Sequence, residues 1–335
     1  MELMHLSTSI PQVIGDLIYM NSDREDIGVL HNYELDIAVG ADENDFECKV
    51  SSKNHCCAEG FYIYAEGTEY GGIVDSITSD TVNAEVTYSG RTWHGILNSK
   101  IIEPDSGEAY LTLSGDAHEV IGSLLTRLNL TDLFEVDTTL SGVAIQNYKM
   151  NRYIAGYDGI VKMLNSVGAK LRVIFNGSKV VLSATGKHDF TKDEEFDSDL
   201  VDFRMKKKFK TVNHLICLGT GELENRLVVH LYVDSDGTIS QEQTQTGLDE
   251  YTAVYDYPVA ESEEELVAGG KDLLKALWEQ TELSVSFNAD NDNYDVGDIV
   301  GATDNVTRLS VASVITKKVV TVRNGLITIA YEVGE

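Results

Sequence analysis

The chain has 335 residues, of which 42% are hydrophobic, so it is long enough for about two domains with sizeable cores. Its 55 acidic and 26 basic side chains give a formal net charge of −29, which argues against general binding to nucleic acids or anionic membranes. The four cysteines form no spaced CxxC pair, and the chain has neither a signal-peptide pattern nor a run of about 18 apolar residues. We therefore expect no zinc site, no disulfide scaffold and no membrane anchor.

The first part of the chain, residues 18–102, is predicted to be all-β. Short runs rich in β-branched and aromatic residues alternate with Asp, Asn, Gly and Ser, as in strands joined by polar turns. Such strands are predicted over residues 29–39, 46–50, 61–66, 72–77 and 82–88. Several short strands of this kind predict a small barrel or a sandwich.

An α+β segment follows. Apolar residues three and four positions apart predict a helix after Asp116, which would be its N-cap, and Glu119 completes a capping-box pattern. A second helix is predicted over residues 156–167. Two apolar strands come next, and the Asn176-Gly177 pair between them predicts a tight hairpin.

Strands resume in the last part of the chain, over residues 201–257. A third helix is predicted to begin at Ser262, again with a capping box, formed with Glu265. The chain then ends in a long hairpin that turns at Asn324-Gly325.

Several strings of residues resemble the tail-hub proteins of long-tailed bacteriophages, and their order and spacing over residues 18–335 carry the resemblance more than any one of them. The strings are Ser89-Gly90-Arg91 with the apolar patch, proline and helix that follow, YDGIVKMLNSVGAKLRVIFNGSKVVLS at 157–183, the GTGE turn at 219–222 with Asn213 and Arg226, and YDVGDIV at 294–300.

The resemblance implies an α+β, mainly β fold with two small β-barrel-like domains and α/β insertions. The first barrel-like domain is placed at residues 1–103 and an α+β middle domain at residues 104–197. The second barrel-like domain is placed at residues 198–335, with its helix at 262–280.

The function implied by the resemblance is structural and not enzymatic. A tail-hub protein forms a ring that joins the tail tube to the tip and surrounds the ejection channel. The expected partners are two further copies in a homotrimer, a distal-tail or tail-tube protein and the tape-measure protein, with DNA passing through without specific binding. The protein would be assembled in the bacterial cytoplasm and would reside at the tail tip of the virion, with no cofactor.

Two other classes of function compete with the hub. A carbohydrate-binding module could use Trp93 and the tyrosines at 62, 64 and 70 as platforms, although alternating tyrosines are more often core or cross-strand pairs. A polysaccharide hydrolase would need a pair of carboxylates, and no pair stands out in this acidic chain. Glycan binding or cell-wall hydrolysis would distinguish these alternatives from a hub.

No catalytic, cofactor or metal residue is assigned. Gly219-Thr220-Gly221 lacks the third glycine of a nucleotide-binding loop and lies between strands, so we interpret it as a turn or bulge. The aspartates at 290, 292, 295 and 298 do not fit an EF-hand loop, so a polar turn is expected there, with loose cation binding as the weaker alternative.

Two patches are candidates for contacts with partner proteins. Trp93 and His94 follow the Gly-Arg pair in a string less typical of the hub family, although a buried anchor is also a reasonable role for Trp93. The second patch is the basic cluster, which could meet an acidic patch on a neighbouring subunit or a passing polyanion, or could simply protect a strand edge from aggregation. Its residues are Arg204, Lys206, Lys207 and Lys208.

Overall fold

The computed structural model describes residues 16–192, 196–197, 203–207, 212–260, 262–278, 281–288, 294–308 and 310–334. These residues form four α-helices, and no helix among them is both long and apolar enough to cross a lipid bilayer. The helices are α1 (Trp93–Asn98), α2 (Ala117–Arg127), α3 (Gly156–Asn165) and α4 (Glu263–Trp278).

The strands of the first part of the chain are β1 (Ile18–Met20), β2 (Asp26–Val29), β3 (Tyr33–Gly40), β4 (Asp45–Ser51), β5 (Tyr62–Tyr64), β6 (Gly71–Ile73), β7 (Ser76–Asp80), β8 (Glu85–Arg91) and β9 (Ile101–Ile102). The strands of the middle part are β10 (Leu111–Asp116), β11 (Phe134–Val136), β12 (Ala144–Met150), β13 (Ile154–Ala155), β14 (Ala169–Phe175) and β15 (Val180–Gly186). The remaining strands are β16 (Phe196–Asp197), β17 (Phe203–Lys207), β18 (His214–Leu218), β19 (Val228–Val233), β20 (Ile239–Ser240), β21 (Thr252–Asp256), β22 (Thr281–Asn288), β23 (Ile299–Thr303), β24 (Ser310–Arg323) and β25 (Leu326–Gly334).

The chain divides into two compact units, and the division differs from the predicted one. Unit 1 combines Met1–Arg204 with Leu283–Glu335, whereas unit 2 is Met205–Glu282. The predicted domains at 1–103 and 198–335 therefore do not separate, because their strands belong to one sheet. Alternating apolar residues predict that a strand is half buried, but they do not predict which strand lies beside it.

The main sheet has ten described strands in the order β17-β22-β25-β24-β3-β4-β8-β7, with β23 and β16 branching from β24. The 14-residue strand β24 joins the two ends of the chain, since Val320 pairs with Ile37 of β3 and with Ile329 of β25. The described pairings leave β17 and β7 as open edges of this sheet. The prediction of short strands joined by turns is confirmed, and the sheet is mainly antiparallel.

The α+β middle of unit 1 forms as the sequence predicts. Asp116 caps α2, and its carboxylate accepts a hydrogen bond from the His118 backbone N–H at 3.0 Å. β14 and β15 form the predicted hairpin, in which Gly177 has the positive φ (+90°) that favours glycine. The buried faces of α2 and α3 pack in one core with these strands, so the middle of the chain is part of unit 1.

Helix α1 is an element that the sequence pattern does not predict. Its six residues, WHGILN, read as part of an apolar patch, because one and a half turns are too short to show helical periodicity. The Thr92 hydroxyl caps the helix by accepting a hydrogen bond from the Gly95 N–H at 3.2 Å. All but the last of the helix residues are buried.

Unit 2 is a four-stranded sheet in the order β20-β19-β18-β21 with α4 packed on one face. Leu215 and Leu231 of the sheet and Leu266 and Leu274 of the helix form its core. The predicted helix start is confirmed, since the Ser262 hydroxyl accepts a hydrogen bond from the Glu265 N–H at 3.2 Å.

Candidate interaction surfaces and buried polar centres

The Gly-Arg pair that contributes to the family resemblance marks a close crossing of strands. A Cβ on Gly90 would lie 1.9 Å from the backbone oxygen of Ile73, and a Cβ on Gly72 would lie 2.1 Å from that of Arg91. Only glycine permits this approach, because a methyl group would collide with backbone. Arg91 then holds Asp75 with two parallel hydrogen bonds, at 2.7 and 2.8 Å.

Trp93 and His94 lie inside unit 1, which corrects their prediction as partner contacts. Trp93 is fully buried and stacks on Phe175 with ring centroids 5.1 Å apart, and His94 is only 4% exposed. Tyr64 and Tyr70 are buried as well, so they offer no aromatic platform for a sugar at the surface. The alternative role of Trp93 as a buried anchor is confirmed, because α1 turns its ring into the core.

A buried polar centre adjoins these aromatic rings. The Lys318 ammonium lies 3.1 Å from a Glu69 carboxylate oxygen, and its side chain is 3% exposed. It also lies over the rings of Tyr70 and Tyr331, at 5.2 and 5.9 Å from their centroids. Burial, reinforced by the Lys318 charge, lowers the pKa of His94 to about 3, so this imidazole is neutral beside the ion pair.

A second buried lysine stabilises the turn that carries the YDVGDIV string. The Lys170 ammonium donates to Asp295 and to Asp298, both at 2.8 Å. Burial raises the pKa of Asp295, but the neighbouring Lys170 charge outweighs it, and the net shift is downward. The predicted polar turn is therefore held by an ion cluster in which Asp298 is buried and Asp295 is half exposed. Asp290 and Asp292 lie outside the described residues. Within the described residues, no group of three or more candidate ligands is arranged to hold a metal ion.

An acidic groove runs over the solvent face of β3, β4 and β8. Its volume is about 600 Å³. Burial raises the pKa of Asp45, and the neighbouring Glu43 and Glu47 raise it further. Its acidic lining residues are Glu34, Asp36, Glu43, Asp45, Glu47 and Asp75, and its basic ones are Lys49, Arg91 and Arg323. Part of the large negative charge of the chain is thus concentrated on one sheet face.

The basic cluster is only partly within the described residues. Arg204, Lys206 and Lys207 belong to β17, an edge strand in the described pairings, whereas Lys208 lies outside the described residues. The edge position agrees with a role for lysines in preventing sheet extension. The prediction that these residues contact a partner remains a prediction.

Unit 2 contains a hydrogen-bonded chain of side chains that sequence reasoning missed. His214 Nδ1 lies 2.6 Å from Glu250 Oε1, and His214 Nε2 lies 2.8 Å from His230 Nδ1. The two histidines are on neighbouring strands, and Tyr232 stacks on His214 at 4.3 Å. The local sequence contains no signal for this cluster, because it depends on how β18, β19 and the loop before β21 pair.

No protein-family model matches the chain, and no curated protein matches it in sequence. In contrast, its fold is similar to solved phage tail structures over nearly the whole length of both chains. The 43 kDa tail protein of prophage MuSo2 from Shewanella oneidensis matches with a TM-score of 0.58 and 9% identity, over 96% of this chain and 98% of that one. A tail protein from Neisseria meningitidis matches with a TM-score of 0.54 and 11% identity, over 96% of each chain.

A third similar structure belongs to the baseplate of phage P2 in its activated conformation with Ca. The TM-score is 0.50 and the identity 10%, over 94% of this chain and 98% of that one. The chain therefore has the mainly β, α+β fold of phage tail and baseplate proteins.

Proposed function

We propose that this protein is a structural tail-hub component of a bacteriophage or prophage, which forms a ring between the tail tube and the tip. The observation that carries the proposal is the extent of the structural match. It covers 96% of this chain and 98% of the Shewanella tail protein, so the whole fold is shared and not one domain of it. The protein would act in the virion, at the end of the tail, as a scaffold and not as an enzyme.

The open edges of the main sheet support an assembly function. Strand β7 is an edge strand, and four of its five residues are exposed. An edge strand presents unpaired N–H and C=O groups that can pair with another chain. In a ring of three copies, closed cyclic symmetry would satisfy such surfaces on every subunit. The tail-tube or distal-tail protein and the tape-measure protein are the further partners that we propose.

We assign the acidic groove to the wall of the ejection channel. Its carboxylates would repel the phosphates of passing DNA, so that the DNA does not bind to the channel wall as it leaves. The test is to measure the DNA ejection rate of particles that carry Asp36→Asn with Glu47→Gln. We expect slower ejection at low salt, and an unchanged rate would contradict this assignment.

The experiment that tests the hub itself is the mass in solution, measured by light scattering with and without the tail-tube protein of the same phage. We expect a species near three times 36.9 kDa, or a complex in which three copies join the tube. The proposal would be contradicted if the protein is a monomer at every concentration and also fails to bind the tail-tube protein. Hydrolysis of cell-wall polymer by the purified protein would favour the hydrolase alternative.

A further inference from the structure

A second cavity in unit 1 has the properties of a binding pocket and is separate from the acidic groove. It lies between α3, the beginning of β14 and the middle of β24, and its volume is about 390 Å³. Ligand pockets in proteins are typically about 300–1,000 Å³ and mostly apolar. The apolar side chains that line it are Val161, Leu171, Val296, Val314, Ile315 and Tyr157.

The wall of the pocket formed by the 295–298 turn is held in place by internal bonds. Gly297 has φ +100°, and its N–H donates to the Ile315 oxygen at 2.7 Å. The neighbouring Asp295 and Asp298 are both bonded to Lys170, at 2.8 Å. A pocket that already has its shape loses little conformational entropy when a ligand enters, which favours binding.

The lining of the pocket includes lysine side chains, in an otherwise acidic protein. Lys162 on α3 and Lys187 after β15 both line it, and no ion pair is found for either within the described part of the chain. Burial lowers the pKa of Lys187, although the charge of Asp298 opposes this shift. A carboxylate near Lys187 would restore the interactions that its ammonium loses on burial.

The opening also carries groups that suit a peptide backbone. Asp158 can accept a hydrogen bond from an amide N–H, and the Asn165 side chain can both donate and accept. Thr316 also lines the pocket, and its hydroxyl donates to the Glu332 backbone oxygen at 3.3 Å. An apolar side chain in the pocket would therefore have both a place for a carboxylate and partners for the adjoining amides.

We propose that this pocket binds the end of a partner polypeptide, with an apolar side chain between Val161 and Val314 and a neighbouring carboxylate at Lys162 and Lys187. The inference stands apart from the ring proposed above, since it depends only on the cavity and on the charges around it. The pairing of ammonium and carboxylate would supply most of the specificity, because apolar walls alone accept acids and amides equally.

The test uses the full chain and the dipeptide acetyl-Ala-Leu, with isothermal titration as the readout. We expect the free acid to bind at about millimolar concentration and at least about tenfold more tightly than acetyl-Ala-Leu-amide. Lys187→Gln should remove most of the difference between acid and amide. Lys53→Gln, which removes an exposed lysine outside the pocket, should leave it unchanged.

Three outcomes would overturn the proposal. The first is equal affinity for acid and amide, and the second is the absence of saturable binding. The third is binding of 4-phenylbutyrate, a small acid without amides, at least as tightly as the dipeptide, which would assign the pocket to small carboxylates. Because Lys187 is not fully buried, Lys187→Gln is expected to fold, and Val161→Phe gives an independent variant that fills the cavity.

Discussion

The two buried lysines of unit 1 use different means to keep a charge inside the protein. The Lys318 ammonium lies 3.1 Å from a Glu69 carboxylate oxygen and over the rings of Tyr70 and Tyr331. Lys170 is bonded to two carboxylates, and the more buried one, Asp298, also accepts from the backbone N–H groups of His188 and Asp295. Donors that stay with a carboxylate after its lysine is removed lower the energetic cost of removal, and Asp298 keeps two of them.

The largest effect is expected from Lys318→Met. The substitution removes the ammonium that lies 3.1 Å from the Glu69 carboxylate, in a pair whose lysine side chain is only 3% exposed. Breaking a buried ion pair from one side typically costs about 3–5 kcal/mol. Urea denaturation should show a lower free energy of unfolding by about that amount.

A double variant and a matched control decide whether charge is the cause. Adding Glu69→Gln to Lys318→Met should restore part of the stability, because the carboxylate charge is then removed together with the ammonium. Lys317→Met removes the neighbouring lysine, whose partners Glu43 and Glu332 are well exposed, and should cost under about 1 kcal/mol. Equal losses for Lys317→Met and Lys318→Met would contradict the interpretation.

Lys170→Met should have a smaller effect, of about 1–3 kcal/mol. Asp295 remains half exposed to water, and Asp298 keeps its two backbone donors. Urea denaturation again gives the measurement, and adding Asp298→Asn to the variant should recover less than the equivalent change does at Lys318. A loss larger than that of Lys318→Met would show that the remaining bonds do not compensate.

These two centres also show where sequence reasoning reaches its limit. The turn at Asn324-Gly325 was predictable, because both residues adopt the positive φ values (53° and 75°) that a tight hairpin needs. The Ser262 cap of α4 was also predictable, because the residue that it bonds, Glu265, is only three positions away. Such signals are local and depend on the chemistry of a few adjacent residues.

Contacts between distant parts of the chain were not predictable. The pairing of Val320 with Ile37, which puts the two ends of the chain into one sheet, has no local signal. The Lys318–Glu69 pair depends on that pairing, and it therefore could not be recognised either. The pattern of the sequence did indicate a tail-hub fold, but it did not reveal which buried charges hold the fold together.

The pH dependence of the free energy of unfolding should reveal the contribution of His94, which adjoins the Lys318–Glu69 pair. The folded-state pKa of His94 is about 3, below the unfolded value of about 6.5, so the unfolded chain takes up this proton first as the pH falls. Stability from this group therefore declines from pH 6.5 towards pH 3, by about 2 kcal/mol at pH 5. Urea midpoints of His94→Gln should decline less over this range than those of the unmodified protein.

The control for this experiment is His31→Gln, which replaces an exposed histidine. It should retain the full decline with falling pH, because burial of an imidazole is what produces the effect. If His94→Gln and the unmodified protein show parallel pH profiles, the neutral His94 does not contribute to the acid sensitivity.

The smallest effect is expected at the exposed pair between Arg91 and Asp75, which uses the same chemistry as the buried lysines but lies in water. Its side chains are 43% and 36% exposed, and pairs of this kind contribute about 0–1 kcal/mol. Arg91→Gln should therefore lower the free energy of unfolding by less than about 1 kcal/mol, and the difference should shrink as salt is added.

The pH dependence of the same variant gives an independent check. The hydrogen bonds from Arg91 hold the pKa of Asp75 below its usual value, so the stability that they contribute is present above about pH 4 and is lost as the pH falls through the folded pKa. Arg91→Gln should lose little further stability from this group at acid pH. A loss comparable to that of Lys318→Met would show that the crossing of β6 and β8 depends on Arg91 itself, and that burial alone does not rank these ion pairs.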